Sequence, residues 1–266
     1  MKLLNKGAEP RELINWKAEN QQTPENLKYG IADFPSEAVR CALLQQQNYL
    51  CAYTLVRLKR PEECDDNHKT RQSCHIEHIL PQTRGELVAK KLAGQQVKDV
   101  VNFTAGEDID FNNMVACFPP SVDTTHCDFG AKYKGDYDPY DNPNFISPLT
   151  PSVETHFTFL SDGSIKAQSV KGEETIRALQ LNHIELCHRR KYVLTGAIYP
   201  KGIKRPYISA AEARRLADEV LRPNADGRLR EFCVAIRHVA LSHADRLERR
   251  ARRARRARRT LGQSRR

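Results

Sequence analysis

Long apolar runs are missing from this 266-residue chain, and its mean hydropathy is −0.64. No window approaches the roughly 18 consecutive apolar residues of a membrane helix, so no membrane association is expected. The opening Met1-Lys2-Leu3-Leu4-Asn5-Lys6-Gly7 turns polar too soon for the core of a signal peptide. Eight cysteines are too sparse for a small disulfide scaffold. Without an export signal they read as reduced thiols or metal ligands, which points to the cytoplasm. No repeat of solenoid length is present. The body of the chain also lacks an excess of one charge. Its formal net charge is +10, yet the last 21 residues hold 11 Arg against one Glu, and the remainder is balanced.

What is present reads as helix, then a strand-rich middle, then helix. Pro10 starts a short helix carrying Leu13, Ile14 and Trp16. Asn20 to Pro35 is a polar connection, and Ser36 caps a second helix with Val39, Leu43 and Leu44. Tyr49 to Val56 is aromatic and β-branched, as a strand is, and Cys74 to Leu80 is a second strand ended by Pro81. These two are expected to pair as a hairpin, with a helix over 85–101. Prolines 139, 143, 148 and 151 mark a boundary. An Asp162-Gly163 turn then joins two strands. Long helices follow over 173–199, 209–221 and 227–244.

The chemistry concentrates between Cys74 and Lys132. His75-Ile76-Glu77-His78-Ile79-Leu80-Pro81 opens the segment, Asn112-Asn113-Met114-Val115-Ala116-Cys117 follows, and His126-Cys127 leads to Lys132. An acidic residue before His, then Asn ahead of an apolar run, then a later His is the order of an HNH nuclease. Phosphodiester hydrolysis needs a base to activate water, and histidine, with an ordinary pKa of about 6.5, suits that task. It also needs a cation against the charge growing on the leaving oxygen, which Mg²⁺ or Mn²⁺ supplies. In this reading His78 is the general base and Asn113 orients the loop that bears it. Glu77 and His126 are metal ligands, and His75 either assists catalysis by touching phosphate or supporting the site, or is a simple strand histidine. On a regular strand Glu77 and His78 face opposite sides, so a bulge is expected there.

The resemblance extends further. Lys6-Gly7-Ala8-Glu9-Pro10 before the Trp helix, Cys51-Ala52-Tyr53, the motifs above and Leu181-Asn182 together resemble the HNH nuclease subunit of Septu antiphage systems, a family also found with retrons. The likeness covers residues 1 to about 200. It implies an α+β fold with a ββα-metal (HNH) nuclease core embedded in a mainly helical protein. The expected division is a helical segment over 1–48, the core over 49–150, a hairpin with helices over 151–245 and an Arg-rich tail over 246–266. It also implies a bacterial cytoplasmic defence effector beside an ATPase of the ABC/SMC-like type. In some systems a reverse transcriptase with its DNA–RNA product joins them. Where many relatives carry a second Cys, this sequence has Thr54, so a knot of paired C-x-x-C motifs is not available. Cys51, Cys117 and Cys127, with Cys64 or Cys74, remain candidates for a structural zinc, against ordinary buried thiols.

The tail runs in Arg-Arg-Ala triplets from Arg249 through Arg250, Arg252 and Arg253. Its charge repulsion favours an extended segment, and with Lys132 it is the candidate nucleic-acid contact. Two alternatives stand beside a catalytic nuclease: a binding or assembly subunit that keeps the scaffold, and a zinc adaptor.

Overall fold

The computed structural model describes residues 1–31, 33–65, 69–123, 126–200 and 207–263, so the last three residues of the tail lie outside it. Helices dominate, with two small antiparallel sheets, an α+β arrangement. Helix α1 spans Arg11–Glu19, with Pro10 as its cap, and buries Leu13 and Trp16. Helix α2, Ser36–Gln46, buries Val39, Leu43 and Leu44. Ser36 is its first residue and Pro35 its cap, so the serine hydroxyl does not cap as expected.

The middle departs from the expected pairing. Asn48, Tyr49 and Leu55 have φ of 49°, 60° and 63°, a left-handed backbone that no strand accommodates. Tyr49–Val56 therefore folds as a tight loop, closed by a bridge between Leu50 and Arg57. After the short helix α3 (Lys69–Ser73), strand β1 (His75–His78) pairs instead with β2 (Met114–Cys117), His75 opposite Cys117 and His78 opposite Met114. The far edge of β2 is taken by the Gln47 amide. It donates to Ala116 O at 2.8 Å and accepts from Ala116 N–H at 2.8 Å. Helix α4 covers Thr83–Leu92 only, and α5 is a single turn at Ala131–Lys134.

The hairpin around Asp162-Gly163 forms as β3 (Phe157–Phe159) and β4 (Ile165–Ala167). Gly163 has φ +90° and lies so close to the next helix that a Cβ there would sit 2.1 Å from Cys187 O, so no other residue fits. The single helix expected over 173–199 is two, α6 (Val170–Ala178) and α7 (Ile184–Ile198). Gln180 is left-handed at the break, and the Asn182 amide pairs with the backbone of Ile165 at 2.7 and 2.8 Å. Helix α8 (Ala210–Glu219) begins with a full capping box between Ser209 and Glu212 and packs along α9 (Cys233–Gln263).

The Arg-rich segment is thus the end of α9 rather than an extended arm. Alanine and arginine favour helix, and the buried first half of α9 has already met the cost of nucleation. One hydrophobic core runs from Leu13 through Tyr53, Val115 and Phe157 to Ala244. Backbone bonds cross the expected boundary near 150: Gly130 N–H donates to Leu179 O at 2.8 Å, and Phe232 N–H to Leu55 O at 3.1 Å.

Candidate active site

The β1–β2 ladder is regular, without the expected bulge. Alternation therefore places His75 and Glu77 on the half-buried face and Ile76 and His78 on the buried one. The pairing continues past His78 through Asn113. Its Oδ1 accepts from Leu80 N–H at 2.7 Å, and its Nδ2 donates to Leu80 O at 3.0 Å and Glu107 O at 2.9 Å. All three of these bonds go to backbone, so the loop after His78 is clamped to the loop before β2.

His78 is buried, 4% exposed. Asp108 O accepts from Nε2–H at 2.8 Å, which fixes the tautomer and leaves the lone pair on Nδ1. That lone pair accepts from the Gln82 side-chain amide at 2.7 Å. Tyr29 packs edge-on to the ring at 4.6 Å. Burial lowers the His78 pKa below its ordinary value, against the Asp108 carbonyl, which raises it. Tyr29, Gln82 and Asp108 also line a cleft of about 380 Å³ with Pro81, Gly85 and Phe103. Arg84, 1% exposed, frames this side through Glu107 at 2.7 Å and Asp138 at 2.5 Å.

On the other face, Lys134 at the end of α5 is buried. Its Nζ donates to His78 O at 2.9 Å and stands 3.0 Å from Glu77 Oε1. That oxygen is itself buried and receives no well-formed hydrogen bond. His75 Nε2 lies 3.8 Å from Glu77 Oε2, and His75 Nδ1 is 2.6 Å from Pro119 O. Lys6, in the motif before α1, donates to Met114 O at 2.7 Å over the Phe111 ring, and burial brings its pKa down to about 7. Sequence reasoning missed Lys134, Gln82, Tyr29 and Asp108. The only local signal for Lys134 was its place between Gly130 and Gly135, whose positive φ isolates one helical turn.

The remaining expected residues lie elsewhere. His126 is turned to solvent, 85% exposed, with Nδ1 3.1 Å from Asp128 Oδ1. Lys132 is exposed on α5, and Arg249, Arg250, Arg252 and Arg253 are exposed on α9. The Cys117 thiol is hydrogen-bonded to Cys51, and Cys127 Sγ donates to Phe129 O at 3.5 Å. Cys64 Sγ bonds to Arg60 O at 3.3 Å, while Cys74 is fully buried and burial pushes its thiol up to about 12. Among the described residues, no three His, Cys, Asp or Glu side chains gather as a metal cage. At Glu77, whose Oε1 is paired with Lys134, only Oε2 of a half-buried carboxylate is left to a divalent ion held by few protein atoms. No protein-family model and no curated protein matches the chain.

Proposed function

We propose that the chain is an endonuclease of the HNH type that hydrolyses phosphodiester bonds in DNA or a structured RNA. Its setting in this reading is the bacterial cytoplasm, as effector of an antiphage complex. An ABC/SMC-like ATPase controls it there, joined in some systems by a retron reverse transcriptase with its DNA–RNA product.

The observation that carries the reading is the pinned ring of His78. Asp108 holds its Nε2–H, Asn113 holds the loop that follows it, and Nδ1 is left as the one basic nitrogen, facing the Gln82 side that lines the cleft. His78 takes a proton from water at Nδ1, and Asn113 keeps that nitrogen aimed. Glu77 would hold Mg²⁺ or Mn²⁺, which when bound offsets charge on the phosphate and leaving oxygen. On the regular β1 ladder it lies on the face opposite His78, so serving one phosphate requires the end of that strand to distort. Exposed Arg249, Arg250, Arg252 and Arg253 give a phosphate-binding surface, with Lys132 on α5.

One contact favours a second reading, a binding or assembly subunit that keeps this scaffold: the Gln82 amide already occupies His78 Nδ1. In the nuclease reading Gln82 must withdraw before water binds there. The test is cleavage of a mixed DNA and total-RNA pool with Mg²⁺ or Mn²⁺, by the chain alone and with the products of neighbouring genes. Wild type is expected to cut, and His78→Ala and His78→Gln to lose at least 100-fold while still melting cooperatively. Equal activity of wild type and both variants would remove His78 as base. No cleavage under any condition would leave the binding subunit.

A further inference from the structure

The outer face of α7 carries aromatic and cationic side chains that its packing does not use. Leu186, Arg190, Leu194 and Ala197 bury the inner face. On the other side His188, Lys191, Tyr192, Gly196 and Tyr199 recur at helical spacing along a cleft of about 910 Å³. Tyr192 is 83% exposed and Tyr199 47%, so two large rings stand mostly in water.

Two further features bear on what the cleft takes. The first is charge. Arg57, Lys191 and Arg230 line it with one carboxylate, Glu231, and Arg189 already pairs with that carboxylate at 3.0 Å. Burial first, and then the neighbouring Arg228 charge, lower the Arg57 pKa, so cations crowd this rim. Such a field draws an anion. The second is Gly196. Glycine is a poor helix former, and a Cβ built there would meet nothing within 4 Å, so no neighbour in the fold requires it. It leaves bare helix backbone between the two rings, four residues after Tyr192 and three before Tyr199. Tyr207 packs edge-on to the Tyr199 ring, with centroids 6.5 Å apart.

A single nucleic-acid strand answers both features, with phosphates for the cations and base faces for the rings. A duplex keeps its base faces stacked inside, whereas unpaired bases offer theirs to aromatic side chains. The Arg-rich end of α9 is different, because it has arginines and no aromatic residue and so meets phosphate alone. An acidic protein segment would satisfy the charge but gives the tyrosine rings no flat partner. We propose that the α7 cleft binds an unpaired stretch of nucleic acid, with bases stacked on Tyr192 and Tyr199 and phosphates on Arg57, Lys191 and Arg230. The proposal rests on the nuclease reading and narrows its substrate to a strand with unpaired bases, a chemistry that DNA and RNA share.

The test is fluorescence anisotropy of labelled oligo(dT), oligo(rU) and a DNA duplex, each about 20 nucleotides long to exceed a single-strand site. The full-length chain is titrated in EDTA, so that nothing is cut. Tyr192→Ala is expected to weaken single-strand binding at least fivefold and to leave the duplex within twofold, while Tyr192→Phe keeps wild-type affinity. Whichever of oligo(dT) and oligo(rU) loses more identifies the sugar. Changing Lys191 and Arg230 together to Ala should lower the slope of log affinity against log salt by about 1.4 for that strand. Should Tyr192→Ala melt early, Tyr192→Leu against Tyr192→Phe decides instead. Equal single-strand affinity in wild type and Tyr192→Ala, or equal losses on strand and duplex, overturns the cleft. Binding of a Glu-rich peptide that depends on Tyr192, with no effect on any oligonucleotide, overturns it in favour of an acidic protein. Cleavage that needs His78 alongside single-strand affinity unmoved by Tyr192→Ala would sink this inference and spare the nuclease. Strand binding that depends on Tyr192 without cleavage in any condition would do the reverse.

Discussion

His78 enters acid as a buried neutral ring, and that has a sign. Its folded pKa lies below the ordinary value of about 6.5 because burial penalises the imidazolium. Between those two values the unfolded chain binds the proton and the native chain does not. The neutral ring's contribution to stability is therefore complete above about pH 6.5 and shrinks as pH falls through that window, by up to about 1.4 kcal/mol per unit. Denaturant midpoints at pH 7.5 and 5.5 are expected to differ more for wild type than for His78→Gln. Parallel losses would mean that His78 is not the group being charged. His238, whose pKa burial also lowers, acts in the same direction and is common to both proteins. At this scale the order of residues in the sequence marked His75, Glu77, His78 and Asn113 as candidates, and the structure gathers them on and beside the β1–β2 pair. The sequence did not announce Lys134, since lysine is ordinarily a surface residue and burial here comes from a tertiary contact with Glu77.

Elements were legible where periodicity or a turn dictated them and illegible where backbone sign decided. The Asp162-Gly163 hairpin, α1, α2 and α8 stand close to where residue patterns place them. The strand expected over 49–56 fails at Asn48, Tyr49 and Leu55, because aromatic and β-branched composition does not report a positive φ. The helix expected over 173–199 breaks because the Asn182 amide serves the edge of β4, a partner distant in sequence. Helix α9 raises the element-scale prediction. At 31 residues it is about 46 Å long, and Arg214 ties its middle to Asp245 and Glu248 at 2.8 and 2.9 Å. Truncation after Asp245 should lower the slope of log affinity against log salt for duplex DNA by about 3, since each phosphate contact contributes about 0.9. Far-UV helicity should fall as well. An unchanged slope would take the arginines out of the nucleic-acid surface.

Taken whole, the chain does not come apart where its prolines cluster. Gly130 N–H donates to Leu179 O at 2.8 Å, Leu229 N–H to Asn48 O at 3.3 Å, and the core from Leu13 to Ala244 is continuous. A fragment of residues 1–150 is therefore expected to lack a cooperative unfolding transition, while the full chain shows one. A sharp melt from the fragment would restore the separable unit that the proline cluster suggests. Prolines mark where a chain bends; they carry no information about which side chains meet across the bend.

The buried ammonium of Lys134 has a consequence for the order of events. With Glu77 it forms a pair of zero net charge in a poorly hydrated place. A divalent ion arriving by itself would leave two uncompensated positive charges there, at a cost that falls sharply when an anion comes too. A phosphodiester is such an anion. In the proposed nuclease, metal and substrate would thus be linked ligands, each raising the other's affinity by the same factor. The ion would then dwell on the protein mainly while a nucleic acid is engaged, and the chain alone would stay quiet.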